Sequence, residues 1–331
     1  MPDKLHALRA GGGLTAAAVR FRRVDPRLYV VYVAFVLIFA FFAITLRHDG
    51  FLSSLNLLNI VRQTTPVTVM AVGLVFVLSA GEIDLSIGSI VAFSSLVAAK
   101  TLESHGLVFG VGAGLGVGLG IGAVNGLFVT LLRLPSFLVT LAMMGLVAGL
   151  ARWVTDLESV AVVNQTFTNI FGSGDLGRVP GLLIWAAVVV VLGHVFLRHS
   201  RFGAHVVAIG DNVAAARATG IHVARVKFTV LVLSGTLASV AGLLYAGRIQ
   251  SATYTLGESD LLTVIAAVVI GGTRLFGGAG SIVGALVGSL IMGMLNNGLI
   301  LMGLSSSQQM IAQGAILLVA ISLTLREPKA A

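Results

Sequence analysis

Two acidic residues, Glu82 and Asp84, interrupt an apolar stretch at Gly81-Glu82-Ile83-Asp84-Leu85-Ser86-Ile87-Gly88, and no lysine or arginine nearby in the sequence is positioned to pair with them. A carboxylate surrounded by lipid is costly, so such a group usually faces a cavity or a helix end and is functional by default. The competing reading puts this segment at the cytoplasmic interface, with Asp84 or Ser86 capping the next helix. A second polar set carries no charge: Gln63, Thr64, Thr65, Asn125, Thr140, Asn296, Asn297, Gln308, Gln309 and Gln313 lie inside or at the edges of apolar runs. Amides and hydroxyls of this kind hydrogen-bond a hydroxyl-rich solute without fixed charge, and they equally tie neighbouring helices together. Gln63, Thr64, Asn125, Asn296, Asn297 and Gln308 therefore join Asp84 as candidates for lining a solute path. Other chemistries lack their residues: there is no cysteine, no metal-ligand cluster and no nucleophile–base constellation.

These side chains have to be positioned in lipid. Of the 331 residues, 57% are hydrophobic and 10% charged, with a mean hydropathy of +1.02, against about 45–50% apolar and about 25% charged in a soluble domain. Apolar runs near 28–46, 63–80, 86–100, 107–132, 135–150, 180–197, 228–247, 261–272, 280–302 and 308–325 predict an all-α polytopic membrane protein of about ten transmembrane helices. The run at 261–272 and the pair flanking Gly81–Gly88 are short, as broken or half-spanning helices are. An even count puts both termini on one side. With that side cytoplasmic, only Arg47, Arg62, Lys100, Arg152, Arg178 and Arg248 of the 21 lysines and arginines fall outside, as positive-inside sorting requires. Residues 1–27 read as a basic cytoplasmic tail, 28–325 as one transmembrane domain with an inside loop at 198–227, and 326–331 as a second cytoplasmic tail. The apolar run after residue 27 exceeds the roughly 7–15 residues of a signal-peptide core and reads as a permanent span. Net charge +8 then reports orientation, not nucleic acid.

The loop at 198–227 contains Gly210-Asp211-Asn212-Val213-Ala214-Ala215-Ala216-Arg217-Ala218-Thr219-Gly220-Ile221, which reads as one short helix. Asp211 caps its start and Gly220 suits the left-handed position after its end. Eight residues make a rod of about 12 Å. A helix that short is marginal alone in water, so it packs against something or is a plain connector. A proline at Ala215 is expected to break it, at about 3 kcal/mol for a helix interior. Glycines recur at every second position from Gly110 to Gly122, without the spacing of a dinucleotide fingerprint. Gly114, Gly118 and Gly122, and likewise Gly280, Gly284 and Gly288, recur every fourth residue and make smooth faces for close helix crossing.

The pattern Gly210-x-Asn212-x-x-Ala215-Ala216-x-x-x-Gly220-Ile221, followed by Val223-Ala224-Arg225-Val226-Lys227 and by Ser234-Gly235 and Ala241-Gly242, resembles the permease subunits of ribose-type sugar ABC importers. Gly81–Gly88, Gly271-Gly272-Thr273, Gly277-Gly278-Ala279-Gly280-Ser281 and Asn296-Asn297-Gly298-Leu299 match the same family, so the resemblance runs from about residue 55 to 325. It implies that Gly210, Asp211, Asn212, Ala215, Arg217, Gly220 and Ile221 belong to a coupling helix that docks in a cleft of a separate cytoplasmic ATPase subunit. It also implies a second permease subunit, an extracytoplasmic solute-binding protein, a place in the cell membrane and transport by alternating access. ATP and magnesium are then expected on the ATPase, with no cofactor on this chain, which lacks G-x-x-x-x-G-K-[ST]. The family commonly has glycine where this chain has Glu82, so a family role carries to Asp84 more readily. Branched-chain amino acid permeases have a similar loop and are the alternative within the class. An ion-coupled carrier usually needs ionisable residues within its spans, and apart from His194 these runs hold almost none. A passive channel needs no docking helix.

Overall fold

The computed structural model describes residues 26–177 and 179–324, so the expected tails lie outside the described residues except for Pro26 and Arg27. The chain runs through α1 (Pro26–Thr45), α2 (Ser54–Ser79), α3 (Ile87–His105), α4 (Leu107–Thr130), α5 (Ser136–Thr155), α6 (Gln165–Phe171), α7 (Gly181–His199), α8 (Arg201–Asp211), α9 (Val213–Ala218), α10 (Val223–Ile249), α11 (Asp260–Ile270), α12 (Ile282–Leu301) and α13 (Ser306–Thr324). Two-residue strands pair Val160–Ala161 with Ser251–Ala252 and Asp175–Leu176 with Val179–Pro180. Each of the ten apolar runs corresponds to one helix, and α6, α8 and α9 lie in the connections. Among the described residues six helices, α2, α4, α5, α7, α10 and α12, are long and apolar enough to cross a membrane. α2 starts at Ser54 rather than near 63 because Ser53 caps it, accepting from the Asn56 amide at 3.2 Å, ahead of a polar first half. Segment 80–86 is non-helical, as its short flanking runs predict.

Helix ends gather at two levels. At one, the Gly278 amide donates to the Ser79 carbonyl at 3.2 Å and the Ile83 amide donates to Ser136 Oγ at 3.0 Å. At the other, Arg62 pairs with Asp175 at 2.9 Å and Arg152 with Glu258 at 2.5 Å. α2 connects the two levels, and at 1.5 Å per residue its 26 residues span about 39 Å.

α10 is central, packed on α4, α2 and α3. Glycine permits that approach: a Cβ at Gly118 would lie 2.5 Å from Ser239 Oγ, one at Gly122 2.7 Å from the Leu231 carbonyl oxygen, and one at Gly114 2.9 Å from Leu243. Gly112, Gly116 and Gly120 face open space. The second glycine series divides. Gly280 precedes α12, whose cap is Ser281, and abuts Ser79 of α2, whereas Gly284 and Gly288 abut Gly271 and Ala267 along α11. The outer faces of α1, α4, α5 and α7 expose Val36, Ile44, Leu119, Phe128, Leu138, Leu146, Val191 and Leu192. Such a continuous apolar coat suits lipid as solvent.

Candidate functional site

Between α2, α10, α11 and α12 lies a cavity of about 320 Å³. α2 contributes Gln63 and Thr64, and α12 contributes Ser289, Gly293 and Asn296. Tyr245 and Arg248 come from the end of α10, Thr253, Thr255 and Ser259 from the following connection, and Asp260 and Thr263 from α11. Tyr245 Oη donates to Asp260 Oδ2 at 2.6 Å, tying α10 to α11. The Arg248 guanidinium stands 5.8 Å over the Tyr245 ring, and its Nε is buried without a hydrogen-bond partner. Asn296 Oδ1 accepts from Gln313 Nε2 at 2.6 Å, which leaves its amide group free to donate. A Cβ at Gly293 would run into Thr64, so glycine there holds α12 close to α2. The wall thus mixes hydroxyls, amides, one carboxylate and one guanidinium, donors and acceptors that match a compact polyhydroxylated solute.

Of the seven residues singled out for a solute path, Gln63, Thr64 and Asn296 meet at this cavity and four lie elsewhere. Asn297 exchanges two hydrogen bonds with Asn56, at 3.0 and 2.8 Å, and joins α12 to α2. Gln308 accepts from the Ser305 amide at 2.8 Å, reaching back over the start of α13. Asp84 and Asn125 belong to a separate buried network. Asp84 accepts from the Ser86 amide at 3.0 Å, Ser86 Oγ at 2.6 Å and Ser234 Oγ at 2.8 Å, and Asn125 Nδ2 donates to Ser86 Oγ at 3.0 Å. Leu85 and Ile83 donate their amides to Thr140 and Ser136 of α5. The non-helical segment is therefore held by side chains from α4, α5 and α10. Ser86 occupies the capping position of α3 but makes no side-chain capping bond. Glu82 is paired after all, with Lys227 near the start of α10. Sequence distance hid that partner.

The loop holding the expected docking helix differs in detail. α8, capped by Ser200, runs on through Asp211, so Gly210 and Asp211 end one helix instead of starting the next. Asn212 is the cap of α9: it is extended at φ −154°, and its Oδ1 accepts from the Ala215 amide at 2.9 Å. Gly220, at φ +84°, takes the expected left-handed position after α9. Gly210 is glycine for another reason, since a Cβ would collide with the Ser79 carbonyl. Only Ala216 of α9 is buried, and Arg217 is exposed.

A family model described as the permease component of branched-chain amino acid transport systems matches residues 56–321. The chain belongs to this permease family. The ribose import permease RbsC of Escherichia coli (strain K12) is 41% identical over 271 residues, covering 80% of this chain and 84% of its own. The ribose import permease RbsC of Bacillus subtilis (strain 168) is 41% identical over 282 residues, covering 85% and 88%. The L-arabinose ABC transporter permease AraH of Azospirillum brasilense is 36% identical over 294 residues, covering 88% and 85%. No solved structure matches. The protein is thus a multi-pass membrane permease of the ribose-type ABC class, and the resemblance read from its motifs holds.

For the permease, sequence reasoning missed Tyr245, Arg248, Asp260 and Ser289. Arg248 and Asp260 stand just outside the apolar runs at 228–247 and 261–272, where hydropathy alone gives no sign that they face a cavity. Ser289, Gly293 and Asn296 fall at i, i+4 and i+7, a polar and small stripe on α12 that was visible as a helical face.

Proposed function

We propose that the permease carries a monosaccharide or related polyol into the cell as the membrane subunit of an ATP-driven importer, with α9 as its coupling helix. The supporting observation is that two helices join the cavity to the loop that holds α8 and α9. α2 lines the cavity with Gln63 and Thr64 and meets Gly210 at Ser79, about 24 Å further along. α10 starts directly beyond α9 and ends at Tyr245 and Arg248 in the cavity wall. Displacement of α9 therefore shifts the ends of both helices, and the cavity changes its opening by alternating access. ATP and magnesium act on a cytoplasmic ATPase subunit that receives Asn212, Ala215, Arg217, Gly220 and Ile221. A solute-binding protein delivers substrate at the other end, and a second permease subunit completes the pathway.

In this reading the chain crosses the membrane ten times within residues 28–325, both tails being cytoplasmic. Arg133, Arg198, Arg201, Arg217, Arg225, Lys227 and Arg274 then lie inside, as positive-inside sorting favours. Arg62 and Arg152, at the outer level, have carboxylate partners. α11 has only 11 residues and covers about 16 Å. The irregular backbone after it completes the crossing while satisfying its own groups, as when Ser281 N donates to Thr273 Oγ1 at 3.2 Å and Arg274 N donates to the Ala279 carbonyl at 3.1 Å.

The test is uptake by liposomes holding the permease with its ATPase, plus its binding protein, against labelled pentoses, hexoses, polyols and branched-chain amino acids. Sugar uptake that needs both ATP and the binding protein is expected. Uptake of branched-chain amino acids alone would move the substrate to the other branch of the family. Gradient-driven uptake without ATP would overturn the mechanism.

A further inference from the structure

A second cavity, of about 950 Å³, opens at the level of α9 between that helix, the turn joining α4 to α5, and the first turn of α10. Four cations line it: Arg133 from the turn, Arg217 from α9, and Arg225 and Lys227 from α10. Lys227 is paired with Glu82, the one acidic residue of the lining. Arg133, Arg217 and Arg225 are exposed and have no ion pair among the described residues. Arg133 sits at φ +57°, a left-handed backbone uncommon outside glycine, in the turn that brings it to the cavity. With Arg217 assigned to the ATPase cleft, Arg133 and Arg225 remain as two unpaired guanidinium groups on one concavity; they repel one another unless an anion joins them, and guanidinium forks match phosphate oxygens.

The rim identifies the anion. Leu131, Leu132, Leu134, Phe137 and Leu138, beside the cationic cavity, are exposed and continue onto the outer faces of α4 and α5. A free phosphate would leave that rim bare. A phospholipid covers both parts at once, its headgroup among the arginines and its acyl chains along the two helices, and basic pockets on the cytoplasmic side of membrane helices favour such headgroups. We propose that this cavity binds the phosphate headgroup of an anionic phospholipid, placing a lipid beside the coupling helix. The inference rests on α9 lying at the cytoplasmic membrane surface, as the proposed function has it.

The experiment is lipid retention by the assembled transporter, exchanged into detergent and analysed by native mass spectrometry after exposure to equal phosphatidylglycerol and phosphatidylcholine. Wild type is expected to retain phosphatidylglycerol at least fivefold over phosphatidylcholine, with retention falling as salt rises. The Arg133→Ala/Arg225→Ala double variant is expected to lose this preference, and Arg133→Lys/Arg225→Lys to keep most of it. Equal retention of the two lipids by wild type overturns the proposal without any variant. Full displacement by millimolar inorganic phosphate, with no lipid bound, would make this a free-anion site and overturn it. Loss of the ATPase subunit from the alanine variant, with lipid unchanged, would assign the arginines to a protein interface instead. Retention is read without transport, so a failure of the uptake assay and a failure of the lipid site are separate results.

Discussion

Replacing Asp84 by alanine should be among the most damaging single changes outside the cavity, and the structure supplies the scale. The carboxylate is fully buried and accepts one amide and two hydroxyl hydrogen bonds, from Ser86 N, Ser86 Oγ and Ser234 Oγ. After substitution the two hydroxyls can turn to nearby carbonyls, but the Ser86 amide has a fixed direction and stays unsatisfied. One buried donor left without a partner costs about 1–3 kcal/mol, and each lost bond to a charged acceptor is worth about 1.5–3 kcal/mol. Relief from burying a charge offsets several kcal/mol of that sum, leaving a net loss of about 2–4 kcal/mol. Asp84→Asn keeps one oxygen for Ser86 and offers its amide to the Ser234 hydroxyl, which can accept, so about 1 kcal/mol is expected. At about 2–4 °C per kcal/mol for a chain of this size, the apparent melting midpoint in detergent should fall by about 5–15 °C for Asp84→Ala and by a few degrees for Asp84→Asn. Scanning fluorimetry of the purified permease measures both. An Asp84→Ala midpoint within about 2 °C of wild type, or an Asp84→Asn variant more stable than wild type, would refute the reasoning, because burial cost would then outweigh the network.

Three further outcomes follow from particular contacts. Gly118→Ala forces a Cβ against Gly235 and Ser239 and should destabilise by about 1–3 kcal/mol, whereas Gly116→Ala, facing open space, should be neutral or stabilising by up to about 1 kcal/mol; chemical denaturation of the two variants compares them directly. Ala216→Pro removes the amide that donates to the Asn212 carbonyl at 2.9 Å and should abolish ATP-dependent uptake while membrane insertion persists; normal uptake would remove α9 from the coupling role. Proline at Ala215 is a weaker probe than its place in the sequence indicates, because that residue lies in the first turn and loses only its bond to the Asn212 side chain. Arg248→Ala withdraws a guanidinium from the cavity wall and should lower uptake at least tenfold, taking about 1.5–3 kcal/mol per charge-assisted bond, with the melting midpoint little changed; unaltered uptake would place the solute elsewhere.

Ten of the thirteen described helices were legible because each coincides with an apolar run, and hydropathy reads those directly. Which side of each helix faces a neighbour was much less legible, because in a bilayer the outer face is as apolar as the inner one and the amphipathic stripe of a soluble helix fades. Asn296 and Asn297 show the consequence: adjacent in sequence and alike in chemistry, one lines the cavity while the other binds Asn56 across to α2. Gly116 and Gly118 differ in the same way, the first open and the second pressed on α10. Asp211 and Asn212 are both good caps, and the choice fell to Asn212 because α8, begun at Ser200 and clamped at Gly210 against Ser79, uses Asp211 as its last residue. Glu82 and Lys227 could not be paired from sequence, since the contact requires α10 to pass the non-helical segment. What does survive in the sequence of such a helix is the spacing of its small and polar residues. Ser289, Gly293 and Asn296 mark the cavity face of α12, while Gly284 and Gly288 mark the face toward α11, so two faces follow from five residues once their period is read separately from hydropathy.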